Sequence, residues 1–336
     1  MKALKFLNII YLCKYISSLT KTLNSLMDLY IKHRLTLFNR IFIIIDFIVC
    51  MFIYKGIESS DYFMYIFYGR KHIERKNFIT LGKNDIIIQV LNNSLEKDIF
   101  DDKSAFNKRF SNYLGRDWIE INNSNREEFY AFVTDHKRFI VKGKRGGGGE
   151  SVYFLEIDDS TDIKLLYEEL ASQDAIVEEV IKQIYVMSEF HPESVNTIRV
   201  TSLISDNDVR IIAAAFRIGN KGNHIDNFHA DGIAAAIDVE SGVVSTAAVD
   251  RYNNKYNEHP ITKKRIKGFQ IPMWKEIIDT VINAAHILPS VRYVGWDIVI
   301  TEDKRVCFIE GNGRPGADLI QMPDQIGKWG LFKEFL

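Results

Sequence analysis

Tyr293–Gly316 reads YVGWDIVITEDKRVCFIEGNGRPG, and its reading decides the fold. Tyr293–Thr301 is rich in Val, Ile, Tyr and Trp, and Arg305–Glu310 alternates until it meets Gly311, so each stretch predicts a strand. Glu302, Asp303 and Lys304 supply turn chemistry between them. A turn centred between Asp303 and Lys304 sets Asp297 directly across from Glu310. Asn312, two residues further on, shares their face. Two carboxylates opposed on one sheet face repel each other. A divalent cation between them removes the conflict, and two carboxylates with an amide oxygen make a hard donor set suited to Mg²⁺ held beside a nucleotide. The plainer alternative is a surface hairpin whose carboxylates are solvated.

Phe139–Leu155, FIVKGKRGGGGESVYFL, is the second informative stretch. A strand over Phe139–Val141 runs into Lys142, and a second is predicted over Val152–Leu155. Between them, Gly146, Gly147, Gly148 and Gly149 free the backbone to turn its N–H groups toward an anion, with Lys142, Lys144 and Arg145 adding positive charge. The pattern fits a flap over nucleotide phosphates. It is not a P-loop, because no Lys-Ser or Lys-Thr follows and the next element reads as a strand. A hairpin loop without a ligand is the alternative.

Upstream, Asp85–Val90 (DIIIQV) predicts a short strand. Asp101 and Asp102 are placed to cap a helix through Phe106, Phe110 and Leu114. Lys103 at that site is a phosphate candidate, with Lys108 a second. Downstream, Asp162–Ala171 reads as an amphipathic helix and Ala175–Ile181 as a strand. Its Glu178, Glu179, Val180 and Ile181 read either as a hinge whose backbone binds an adenine edge or as an ordinary strand. Asn196–Ser205 and Val209–Ile218 flank an Asp-Asn-Asp turn and predict a hairpin. Arg199 and Arg217 within it face solvent, pair with an acid, or hold a transferring phosphoryl group or acyl phosphate. Asn227 and His229 lie in a polar loop, where His229 is an acid–base candidate. Strands are predicted at Ile233–Asp238 and Val243–Ala248, and a helix at Met273–Leu288.

Composition sets the outer bounds. The chain has 336 residues, 46% hydrophobic and 26% charged, with net charge −1, which suits a globular protein of two or three sub-domains and gives no electrostatic footprint for nucleic acid. Cys13, Cys50 and Cys307 lie far apart with no metal or redox spacing, and read as reduced packing residues of a cytoplasmic protein. Ile41–Tyr54 (IFIIIDFIVCMFIY) falls short of the ~20 residues that span a bilayer and contains Asp46. No signal-peptide cleavage pattern follows the N-terminus. A buried helix is expected there. A membrane-surface contact is the alternative, because residues 1–70 are also rich in Lys, Arg, Tyr and Phe.

Taken in order, these motifs resemble the ATP-grasp superfamily, and within it the sugar-transfer-associated ATP-grasp proteins of bacterial surface-polysaccharide clusters. The likeness is carried by the Lys103 helix, Phe139–Val152, Glu178–Gln183, Pro192–Ser202, Phe216–Gly219, Asp226–Phe228, His259-Pro260, Gly268–Pro272, Gly295–Ile298 and Ile309–Asn312. It covers roughly residues 80–325. Residues 1–75, largely outside the likeness, read as a mostly helical region from apolar residues at three- and four-residue spacing. The resemblance implies an α+β ATP-grasp fold, two lobes gripping ATP, with a pre-domain and first lobe over 76–182 and a second lobe over 183–336. It implies that Lys103 and Lys142 contact phosphates under a Gly146–Gly149 flap, that Glu178–Ile181 line the adenine pocket, and that Asp297, Glu310 and Asn312 hold Mg²⁺. Arg199 and Arg217 match basic positions near the transferred phosphate in peptide-forming members.

The activity implied is ATP- and Mg²⁺-dependent joining of a carboxylate and an amine through an acyl phosphate. The substrates would be a carboxylated sugar or glycan precursor and an amine or amino acid, met in the cytoplasm or at the inner face of the membrane. Two alternatives remain: a phosphotransferase acting on a sugar or small metabolite, and a non-catalytic scaffold held at the membrane through residues 1–70. Three departures from the family pattern stand out. Asp231-Gly232 replaces a Gly-Gly pair. Arg314 follows the metal asparagine closely enough to read an acidic substrate. The usual acidic ribose contact has no counterpart, leaving Gln183 or Asn196 to take its place.

Overall fold

The structure, a computed structural model, describes residues 17–54, 56–92, 94–146, 152–206, 208–221, 228 and 231–336. They divide into two compact units. The described residues of Met1–Ile87, with Tyr252–Asn254 and Gln325–Leu336, form the first, and Ile88–Arg251 with Lys255–Asp324 the second.

The first unit is helical. Helix α1 covers residues 17–30. Helix α2 (Leu37–Ile53) starts at Thr36, whose side chain accepts from the Asn39 amide. The inner stripe of α2 is Ile43, Phe47, Cys50 and Tyr54, at helical spacing. Asp46 also turns inward, where its carboxylate accepts both Arg75 Nη atoms at 2.9 Å and the Tyr62 hydroxyl at 2.7 Å. Beneath lies an aromatic core of Tyr62, Phe63, Tyr65, Phe67 and Phe78. The expectation of a buried helix at Ile41–Tyr54 holds for this stripe only: Phe42 is 61% exposed and Phe52 87%.

Helix α3 (Leu81–Leu91) replaces the strand expected at Asp85–Val90. Its buried residues Asn84, Ile87, Ile88 and Leu91 recur at three- and four-residue spacing. A six-residue apolar run satisfies either period, and the helix that starts upstream decides it. Helix α4 (Lys103–Arg109) is capped by Asp102, whose side chain accepts from the Ala105 amide.

The second unit holds two antiparallel sheets. Strands β1 (Trp118–Glu120), β2 (Arg138–Gly143), β3 (Val152–Glu156) and β4 (Ala175–Glu179) form a sheet in the order β1-β4-β2-β3. Helices α5 (Arg126–Asp135) and α6 (Ile163–Ser172) pack on it through Phe129, Phe132, Tyr167 and Leu170. The seven-stranded sheet uses β5 (Ile198–Ser205), β6 (Asp208–Ile218), β7 (Ile233–Ile237), β8 (Ala248–Val249), β9 (Lys255–Tyr256), β10 (Tyr293–Ile300) and β11 (Val306–Asn312). Its order is β11-β10-β5-β6-β7-β8-β9. Helix α7 (Trp274–Ala285) joins its core through Ile277 and Val281, together with Phe106, Phe110, Trp296 and Phe308. The strand expected at Val243–Ala248 is absent. Val243 and Val244 make single bridges to Gln270 and Ile237, and β8 begins only at Ala248.

The opening hairpin pairs Asp297 with Glu310, as its sequence predicts, but by a different route. Ile300 pairs with Val306, so the turn centres on Asp303. Continued without interruption, that register would set Asp297 opposite Ile309. A one-residue irregularity between Asp297 and Ile298 leaves Ile309 unpaired and brings Glu310 across from Asp297.

Candidate active site

The two opposed carboxylates differ in their surroundings. Asp297 is 2% exposed and lies beside Arg199 of β5, its cross-strand partner. Arg199 Nε donates to Oδ1 at 2.5 Å and Nη2 to Oδ2 at 2.8 Å. Arg217 stands two residues past Ala215, the β6 partner of Arg199, so it shares the face and its Nη1 donates to Oδ2 at 2.7 Å. Burial alone would raise the Asp297 carboxyl, but Arg199 and then Arg217 outweigh it and hold it well below the usual carboxylate range. Glu310 moves the other way: burial first, then the Asp297 charge, push it above its ordinary value.

Asn312 Nδ2 lies 3.5 Å from Glu310 Oε1, and a half-turn of the amide presents Oδ1 instead. Between the two, Gly311 admits no side chain, since a Cβ there would meet the Phe100 and Phe106 rings at 2.7 Å. Close packing under Gly311 therefore fixes where Glu310 and Asn312 stand.

This donor set fits a divalent cation. A carboxylate pair has about eight lone-pair sites, and the two arginines occupy three on Asp297. Burial first and then the facing Asp297 charge raise the Glu310 carboxyl, and a bound cation would relieve the repulsion between the two acids.

Lys142 reaches the same region from the four-stranded sheet, and Lys103 from the start of helix α4. Lys142 Nζ on β2 donates to Glu178 at 2.5 Å. Glu178 is buried on β4 and also accepts from Arg116 Nε and Nη2, both at 2.9 Å, and from Asn107 Nδ2 at 2.9 Å. Burial would raise its carboxyl; Arg116 and Lys142 outweigh that and hold it well below the ordinary range. Arg116 then crosses to the other sheet, donating to the carbonyls of Phe308 at 2.6 Å and Ile309 at 3.1 Å on β11. Lys103 closes the group. Its amide donates to the Lys144 carbonyl and its Nζ to the Gly146 carbonyl at 2.8 Å. Burial lowers the Lys103 ammonium, and Glu310, Lys142 and Glu178 all lie close enough to act on it electrostatically. Both lysines and Glu310 thus share one neighbourhood.

The sequence profile described as sugar-transfer associated ATP-grasp matches residues 83–335. The chain belongs to the sugar-transfer associated ATP-grasp family. It therefore has the ATP-grasp fold, with a helical region ahead of it. No curated protein matches the sequence. Among solved structures, the ATP-grasp ligase PsnB, complexed with a phosphomimetic variant of its minimal precursor, Mg and ADP, aligns at 16% identity over 72% of this chain and 60% of its own, with TM-score 0.45. The ADP complex of purK, N5-carboxyaminoimidazole ribonucleotide synthetase, aligns at 10% identity over 65% of this chain and 46% of its own, with TM-score 0.42. D-alanyl-alanine synthetase A from Vibrio cholerae aligns at 13% identity over 68% and 60%, with TM-score 0.41. The chain spans less than two thirds of the length of these three proteins.

Other residues singled out in this ATP-grasp chain have mixed placements. The Glu178 side chain clamps Lys142 and Arg116, whereas Val180 and Ile181 continue past the last residue of β4. Gln183 does not stand open for a ribose. Its amide brackets the Asn196 backbone, donating to the carbonyl at 2.5 Å and accepting from the N–H at 3.1 Å. The Asn196 side chain is buried against the Met187 and His191 carbonyls. Lys108 is tied to Glu120 at 2.6 Å, so this second phosphate candidate already has an acid. Arg314 is exposed, 3.7 Å from Asp101. Gly147, Gly148, Gly149, Asn227 and His229 lie outside the described residues, and Gly146 is described with φ +104°, a conformation glycine favours. Cys50 and Cys307 are buried free thiols, and Cys13 lies outside the described residues.

Sequence reasoning missed Arg116, Asn107 and Asn92. The Asn92 amide donates to the carbonyls of Tyr293 at 2.8 Å and Gly313 at 2.5 Å and accepts from the Tyr293 N–H, so it ties the open end of the hairpin. Each works across 62 residues or more of chain, so its local sequence does not announce its partner. Among the described residues, Asp117, His136 and Glu179 also gather ligating atoms within 4.8 Å. There Asp117 and His136 already pair at 3.0 Å at the surface.

Proposed function

We propose that this chain is an ATP- and Mg²⁺-dependent carboxylate–amine ligase that forms an amide on a surface-polysaccharide precursor. The observation that carries the reading is the pairing of Asp297 with Glu310, with Asn312 beside them, in the neighbourhood of Lys103 and Lys142. Family membership supports the nucleotide. The carboxylated sugar and the amine are inferred from the sugar-transfer setting of that family.

In this reading Asp297, Glu310 and Asn312 hold Mg²⁺, which neutralises phosphate charge when bound. Lys103 and Lys142 hold phosphate oxygens, with Glu178 fixing Lys142 in place. Val180 and Ile181 lie past the end of β4 and would offer backbone groups to an adenine edge. Arg199 and Arg217 stand beside Asp297 and orient the carboxylate that takes the phosphoryl group. Phosphoryl transfer to that carboxylate gives an acyl phosphate and ADP. An amine then attacks the acyl carbon, phosphate leaves, and the amide nitrogen loses a proton. No protein nucleophile is needed.

The test supplies purified protein with ATP, Mg²⁺, uronic-acid acceptors and a panel of amines. Amine-dependent release of ADP and phosphate is expected. A phosphorylated product formed without amine would identify a phosphotransferase instead. Failure to bind ATP in the presence of Mg²⁺ would end the reading.

A further inference from the structure

Helix α2 presents an outer face with no partner in the first unit. Phe38, Ile41, Phe42, Ile45, Val49 and Phe52 are all exposed, and from Ile41 to Ile53 the only charged residue is Asp46. Asp46 is turned under the helix onto Arg75 and Tyr62, and this contact fixes the rotation of α2. From Phe38 to Phe52 the result is an apolar face about 21 Å long at 1.5 Å per residue. Stable monomeric proteins rarely expose an apolar patch of that extent. A protein-binding face would ordinarily carry polar groups among the apolar ones, and from Ile41 to Ile53 this one has none but the inward-turned Asp46.

The surroundings of the helix favour one occupant. Ahead of α2, Lys32, His33 and Arg34 are exposed in the loop after α1, and Lys21 is exposed on α1. Asp28 is the only acid in residues 17–45, while the whole chain carries net charge −1, so positive charge is concentrated at this end. No helix among the described residues is long and apolar enough to cross a membrane. An apolar face too short to span, with basic residues at its start, fits the boundary between headgroups and acyl chains of an anionic bilayer. We infer that the outer face of α2 seats this protein on an anionic lipid surface. This inference stands apart from the ligase reading, since none of its residues belongs to the candidate active site.

The experiment uses the full chain and co-sedimentation with phosphatidylcholine vesicles made with and without phosphatidylglycerol. Wild type should partition onto the anionic vesicles. A combined Phe38→Ser, Phe42→Ser, Phe52→Ser variant should lose at least about a hundredfold in partitioning, given three large apolar side chains withdrawn from the lipid. Lys32→Glu with Arg34→Glu should weaken binding to anionic vesicles at least about tenfold and leave any binding to neutral ones unchanged. These positions are exposed, so the variants should fold, which circular dichroism and gel filtration check. Wild type that stays out of the anionic vesicle fraction would overturn the inference. So would partitioning that the triple serine variant does not reduce, which puts the contact elsewhere in the chain. A wild-type dimer that the triple variant makes monomeric would overturn it in favour of a second copy of this chain on the same face.

Discussion

Two buried acid clusters lie in the second unit, and they are built for different ends. Glu178 accepts four hydrogen bonds, from Arg116 twice, Lys142 and Asn107, which fills its lone-pair sites. Asp297 accepts three from Arg199 and Arg217, and faces a second buried carboxylate, Glu310, across the hairpin. The first cluster is complete: it joins β2 and β4 to β11 through Arg116 and leaves nothing to be neutralised. In the second, Arg199 and Arg217 pair with Asp297, and Glu310 has no ion pair of its own among the described residues. Burial, then the facing Asp297 charge, raise its carboxyl above the ordinary value. In the proposed reading the first cluster holds structure and the second receives a cation.

The contrast breaks most visibly at Glu178. Glu178→Ala leaves Arg116 and Lys142 buried and unpaired and should cost about 3–5 kcal/mol of stability, measured by urea unfolding. Loss below 1 kcal/mol would remove the distinction between the two clusters.

The next largest effect is expected at the other cluster. Glu310→Gln should lower ATP-dependent turnover at least about a hundredfold while stability stays unchanged or rises, because a repelled buried charge is removed. Turnover assays beside urea melts check this. A variant as destabilised as Glu178→Ala would mean that Glu310 is structural.

Acid sharpens the same comparison. The Glu178 carboxyl is depressed in the folded chain from an ordinary value of 4.5. Its contribution is therefore fully present above that pH and is lost as pH falls toward the folded value. Stability of the wild type should fall below about pH 4.5 more steeply than that of Glu178→Gln, by about 1.4 kcal/mol for each pH unit that separates the folded and unfolded values. Parallel curves would contradict the clamp.

The smallest effect is reserved for Lys108. Its side chain is 65% exposed beside Glu120, so Lys108→Ala should shift stability by less than about 1 kcal/mol and leave turnover intact. A large loss of turnover would return Lys108 to the phosphate site.

Much of this was legible from residue order alone, for reasons particular to each stretch. Periodicity placed β5, β6, β10 and β11, and Asp102 marked the start of α4. The pairing of Asp297 with Glu310 was reached with a turn half a residue off, and the unpaired Ile309 compensated for it, a feature that no alternation pattern announces. The run at Asp85–Val90 was misread because six residues do not distinguish a helix from a strand. Arg116 was invisible, since its partners Glu178, Phe308 and Ile309 are remote in the chain and nothing in its own neighbourhood hints at burial. The outer face of α2 was half legible. Hydropathy found the helix, but only the Asp46–Arg75 contact settles which side faces outward.

The central claim is that Asp297, Glu310 and Asn312 seat Mg²⁺ for a bound nucleotide, and calorimetric titration of a non-hydrolysable ATP analogue tests it directly. Wild type should bind the analogue at least about tenfold more tightly with Mg²⁺ than without, a difference of 1.4 kcal/mol. The Glu310→Gln, Asn312→Ala double variant should keep the Mg²⁺-free affinity and lose that enhancement. An equal Mg²⁺ enhancement in wild type and double variant would contradict the account.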